Sequence, residues 1–156
     1  MAVRKSRAFR RMKIITAVLA VLALWATVSR GENHDLIMAA YYGDLAEVKQ
    51  LLAAGAQVDS KDKNNITPLM AASLRGHREV VELLLARGAE VNARTKDGQT
   101  PLIYAAIKGD PEVVAKLLAQ GAEVNAQDNN GQTPLLLAVR MNHPVMRELL
   151  IQAGAQ

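Results

Sequence analysis

Thr67-Pro68-Leu69-Met70, Thr100-Pro101-Leu102-Ile103 and Thr133-Pro134-Leu135-Leu136 are one phrase written three times, 33 residues apart. A second phrase keeps the same step: Gly55-Ala56, Gly88-Ala89, Gly121-Ala122 and Gly154-Ala155. A fixed period of this length marks stacked repeats, in which each small unit buries its apolar face only against its neighbours. Aligning the chain on the period gives a repeat region over 34–156, with units at about 34–61, 62–94, 95–127 and 128–156.

Within each full unit the residues spell turn, helix, tight turn, helix, loop. Thr67, Thr100 and Thr133 suit the N-cap, where a hydroxyl accepts a free backbone N–H. Pro68, Pro101 and Pro134 suit the first helical position, where no N–H is needed. Gly43, Gly76 and Gly109 then stop the first helix, and Asn142, which tolerates the same left-handed conformation, fills that slot in the last unit. Asp44 and Asp110 are expected to cap the second helix. Leu51-Leu52, Leu83-Leu84-Leu85, Leu117-Leu118 and Leu149-Leu150 give that helix an apolar face. The pattern predicts an all-α solenoid of four helix-turn-helix units with short hairpin-like turns between them.

The chain has 156 residues, half of them apolar, so a core can be buried. Aromatics are scarce, namely Phe9, Trp25, Tyr41, Tyr42 and Tyr104, and the core is therefore expected to be aliphatic. The basic pI is misleading. Six cations and no acid fall within residues 1–13, and Arg30 adds a seventh. All 15 acidic residues lie at Glu32 or later against 12 Lys and Arg, so the repeat region has a net charge of −3. Such a body offers no footprint for nucleic acid. The absence of cysteine excludes disulfides, thiolate metal sites and a Cys nucleophile.

Residues 1–13 are followed by the uncharged run Ile14 to Val28 and then by Ser29-Arg30-Gly31-Glu32-Asn33. A basic end, an apolar stretch and a polar exit are the parts of an export signal over 1–30. Two readings stand. Cleavage after Ser29, or less favourably after Gly31, would release a soluble protein. Retention would leave an anchor in the inner membrane, with residues 14–28 the only membrane contact; fifteen residues cover ~22 Å of a ~30 Å hydrocarbon core. Both readings place the repeats on the periplasmic or another extracytoplasmic side.

From Asp35 to Ala155 the chain closely resembles the ankyrin-repeat family. Asp128-Asn129-Asn130-Gly131-Gln132-Thr133-Pro134-Leu135 and Gly121-Ala122-Glu123-Val124-Asn125 carry the likeness. There are departures. The family's His after Thr-Pro-Leu is replaced by Met70, Ile103 and Leu136, which implies a plainer apolar core. His34-Asp35 replaces Thr-Pro in the first unit, which looks like an N-terminal cap. The last unit is expected to be a C-terminal cap whose outer helix is polar through His143, Arg147, Glu148 and Gln152.

A catalytic, cofactor or metal constellation is not legible. His77 and His143 occupy one slot two units apart, which at ~8–10 Å per packed helix separates them by roughly 16–20 Å. Asp128-Asn129-Asn130-Gly131 lacks the remaining ligands and closing Glu of a calcium loop. An enzyme is therefore not expected.

The resemblance implies that a partner protein sits on the concave side. There the period aligns Tyr41, Leu74, Ile107 and Arg140 into one ridge and Tyr42, Arg75, Lys108 and Met141 into another. Tyr104 projects from the same helix, and Lys63, Ile66, Lys96 and Gln99 stand on the turns. Tyr and Arg are frequent interface anchors. Leu74 and Ile107 are expected to form an exposed apolar strip rimmed by cations, suited to an apolar and acidic partner segment. The expected function is an exported protein-binding adaptor. A membrane-tethered scaffold of an envelope complex, or a secreted inhibitor of immunity type, is the alternative.

Overall fold

The computed structural model describes residues 35–156. The leader expected over residues 1–30, with its apolar run 14–28, and His34 lie outside the described residues. Eight helices alternate along the described chain, without strands: α1 over residues 35–42, α2 Leu45–Ala53, α3 Pro68–Arg75, α4 Arg78–Ala86, α5 Pro101–Lys108, α6 Pro111–Ala119, α7 Pro134–Arg140 and α8 Pro144–Gln152. No helix among the described residues is long and apolar enough to cross a membrane.

The helix boundaries follow from the repeated phrases. The Oγ1 atoms of Thr67, Thr100 and Thr133 accept the N–H groups of Met70, Ile103 and Leu136 at 3.3, 3.3 and 3.2 Å, and proline follows each cap. In α3 the Met70 Sδ also accepts the Thr67 N–H at 3.4 Å. At Gly76 the chain turns left-handed, with φ of 75°, and Asn142 takes the same region at φ 57°. Asp44 caps α2 by accepting from Glu47, and Asp110 caps α6 by accepting from Glu112 and Val113.

Odd-numbered helices form an inner row, in which α3 packs on α5 and α5 on α7; even-numbered helices form an outer row running α2, α4, α6, α8. Each unit is therefore a helix pair laid on the pair before it. The period puts equivalent residues in line. Val48, Val81 and Val114 are fully buried in the outer row, as are Leu84, Leu117 and Leu150. Leu36, Leu69 and Leu102 do the same in the inner row. Each such side chain contributes ~1.5–3 kcal/mol over its exposed state. A smaller cluster, Ile103, Ala106 and Leu137 with Ile107 packed on it, joins α5 to α7.

The connections are stapled as regularly. Asp62 Oδ1 accepts the N–H groups of Asn64 and Ile66, both at 2.8 Å, and Asp128 Oδ1 does the same for Asn130 and Gln132. Successive turns are joined by Lys96 N to Asn64 O and by Asn129 N to Asp97 O. On the far side, Asp59, Asn92 and Asn125 each accept a backbone N–H of the next unit's loop, from Glu90, Glu123 and Gln156.

One expectation is corrected at the end of the stack. The last unit was expected to be polar outside and to bury Leu136 as its siblings are buried. Met70 and Ile103 are 1% and 0% exposed, whereas Leu136 is 46% exposed. Five of the seven exposed large apolar residues among the described residues, Leu136, Val139, Met141, Val145 and Ile151, belong to this unit. Slots of α7 and α8 that face the preceding pair, such as Leu137 and Leu150, are buried, whereas Leu136 faces away from it and no further helix pair among the described residues covers it. His143 is half-buried, while Arg147, Glu148 and Gln152 are exposed, so the outer surface is mixed rather than polar.

Candidate functional site

The inner helices and the turns beside them define one face, and the expected binding residues divide on it into three groups. Tyr42, Arg75, Lys108, Arg140, Met141, Lys63 and Lys96 are exposed, Tyr42 most of the apolar ones at 69%. Tyr41, Leu74, Tyr104, Ile66 and Gln99 are half-buried, and so is Ile107. The exposed apolar strip expected from Leu74 and Ile107 is therefore not formed. Ile107 turns down onto Ile103, Ala106 and Leu137, because the bulk of Leu137 in the following unit offers it a contact.

At the first-unit end the face is aromatic. The rings of Tyr41 and Tyr42 meet edge to face with centroids 5.4 Å apart. The Arg75 guanidinium carbon sits 4.9 Å from the centre of the Tyr41 ring, a cation–π contact across units. The Tyr41 carbonyl is held in turn by His77, whose Nε2 donates to it at 3.0 Å; His143 does the same to Ile107 at 3.3 Å. Both histidines stand at the start of a second helix without capping it. Their rings serve instead to tie the tight turn of one unit to that of another.

Where the first three units meet lies a hollow of about 210 Å³. It is where Tyr41, Leu74, Ile66 and Tyr104 come together, with Ile37, Met38, Met70, Ala71 and Asp62 completing its walls. The remaining expected residues, Tyr42, Arg75, Ile107, Lys108, Arg140 and Met141 and the turn residues Lys63, Lys96 and Gln99, do not line it. Sequence reasoning missed Ile37, Met38, Met70, Ala71 and Asp62 as site residues. A signal was present in the slot Met38, Ala71, Tyr104, Leu137, where one small residue stands between two large ones. Burial pushes the Tyr104 phenol above its ordinary pKa, and the nearby carboxylates of Asp97 and Asp62 push it further. The turn side of the hollow is therefore negative, while Arg75, stacked on the lining residue Tyr41, brings positive charge near its other side.

Among the described residues no group of three His, Cys, Asp or Glu side chains converges as a metal site would require. What the face offers chemically is contact area, one apolar hollow and charge.

No curated protein matches the chain. The family model described as ankyrin repeats, in three copies, matches residues 36–128 and 96–156. These spans run through all four helix pairs, and the chain belongs to the ankyrin-repeat family.

Proposed function

We propose that the protein is an exported adaptor that holds a partner protein stoichiometrically on the face built by its inner helices. Ankyrin repeats generally mediate protein–protein binding. The observation that carries the reading is the grouping of aromatic and cationic side chains on that face: the Tyr41 and Tyr42 rings meet edge to face and Arg75 stacks on Tyr41. Tyr42 and Arg75 are exposed, and Lys108 and Arg140, exposed as well, follow Arg75 along the inner helices. A rigid scaffold that presents aromatic and cationic anchors keeps the ordering cost of binding low. The protein does no chemistry of its own in this reading.

Export rests on the sequence of residues 1–30, with its six cations followed by an uncharged run. The second reading, a scaffold tethered to the membrane, is favoured by the lack of an Ala-x-Ala cleavage site after Val28. Affinity capture of the tagged full-length chain from its host, followed by mass spectrometry, tests both. One abundant partner and a mature start near Arg30 or Glu32 are expected. An intact leader captured with membrane-complex subunits would replace the soluble adaptor by the tethered scaffold, and capture of no protein would end the adaptor reading.

A further inference from the structure

The hollow over Ala71 belongs to one place in the stack and is not built by the repeat itself. The slot reads Met38, Ala71, Tyr104 and Leu137 in successive units, so a methyl group stands where its neighbours on both sides carry long side chains. The space left over it, about 210 Å³, is below the ~300–1,000 Å³ of sites that enclose a small-molecule ligand or cofactor. It is the size of a side chain. Its walls are aliphatic and aromatic. Its carboxylate, Asp62, already spends Oδ1 on two backbone N–H groups of its own turn.

The charge around the hollow is polarised. Asp62 lines the turn side, and Asp97 lies close enough to raise the Tyr104 phenol. An anion approaching there is repelled. Arg75 is stacked on Tyr41, which lines the hollow, with Lys108 one unit further along, and neither is paired with a carboxylate among the described residues. An apolar hollow near unpaired cations selects a ligand that fills the first and neutralises the second.

We propose that this hollow is the anchor pocket for one bulky apolar side chain, Leu, Met or Phe, on a linear segment of the partner protein, whose nearby Asp or Glu seats on Arg75 and Lys108. This rests on the inner-face adaptor reading and narrows it to a single pocket and a single orientation.

Panning a library of random linear peptides on the immobilised full-length chain tests it. The enriched peptides are then titrated by fluorescence anisotropy. The expected consensus is a bulky apolar residue with Asp or Glu a few positions away. Ala71→Leu, which fills the hollow, and Met38→Glu, which charges its wall, each weaken binding about tenfold or more. The pair Arg75→Glu and Lys108→Glu does likewise and is rescued by a peptide with Lys in place of its acid. Circular dichroism checks folding; should Ala71→Leu not fold, Met38→Glu decides, since Met38 is already 38% exposed. No enriched peptide, or enriched peptides indifferent to the pocket variants, overturns the proposal. A native partner released by Tyr42→Glu but retained by both pocket variants overturns the pocket and leaves the adaptor standing. A partner retained by all three variants overturns the adaptor as well.

Discussion

The imidazole of His77 lies 2.5 Å from where a Cβ on Gly43 would stand, and its Nε2 donates to the Tyr41 carbonyl at 3.0 Å. Gly43 is thus required twice, by its left-handed backbone (φ 77°) and by the ring packed against it. Gly55 is left-handed too (φ 103°), yet a Cβ there meets nothing within 4 Å. Gly55→Ala should then cost only the backbone term, roughly 1–2 kcal/mol. Gly43→Ala should cost about 1–3 kcal/mol more, from overpacking. Urea unfolding of both variants measures the difference, and adding His77→Ala to Gly43→Ala should return part of it. Equal costs at the two glycines would contradict the packing described here.

Ile103 and Leu136 occupy one slot of the repeat, 0% and 46% exposed. Truncating Ile103 to Ala should cost ~2–5 kcal/mol, as core truncations do. Leu136→Ala should cost less than about 1 kcal/mol. Similar losses in thermal or urea unfolding would mean that the last helix pair is covered in solution.

Asp110 has two jobs that substitution separates. Its Oδ1 caps α6, while its Oδ2 accepts from Arg78 Nε at 2.9 Å, a contact that pushes the Arg78 pKa up. Asp110→Asn keeps a capping oxygen and loses only an exposed ion pair, so it should change stability little. Asp110→Ala loses the cap as well and should cost ~0.5–2 kcal/mol. The prediction is the order of the two, and a reversed order in denaturant unfolding would mean that the ion pair dominates.

Tyr104 should titrate above the ordinary tyrosine value of 10.0, because burial and then Asp97 and Asp62 oppose its phenolate. The folded state therefore holds this proton more tightly than the unfolded chain. The stability it contributes is fully present below the unfolded pKa and is lost as pH rises through the folded one. The difference in phenolate absorbance between wild type and Tyr104→Phe reports the midpoint, and Asp97→Asn should lower it. A midpoint at or below 10 would contradict the placement of the ring.

Helix ends were legible in the sequence because each is decided by one or two adjacent residues. Thr100 caps, Pro101 starts and Gly109 stops α5 whatever lies around it. Exposure was not legible, since it depends on what the next unit lays over a slot. Leu136 reads like Ile103 and is bare, and Ile107 reads like an exposed ridge residue and packs inward on Leu137. His77 and His143 could be placed at helix starts, but their carbonyl partners lie 36 residues back, and only stacking brings them near. The hollow was hidden for the same reason. It belongs to no element and arises where small Ala71 falls between Met38 and Tyr104.

The central claim is that the inner-helix face, and not the outer one, holds the partner. Calorimetric titration of the purified native partner into the full-length chain measures it most directly. Tyr42→Glu with Arg75→Glu should weaken binding about tenfold or more. Reversing an outer-row pair, Glu82→Lys with Lys116→Glu, should leave the affinity within about twofold, because exposed ion pairs contribute little. The opposite pattern, full affinity after the inner-face changes and loss after the outer-row ones, would contradict it.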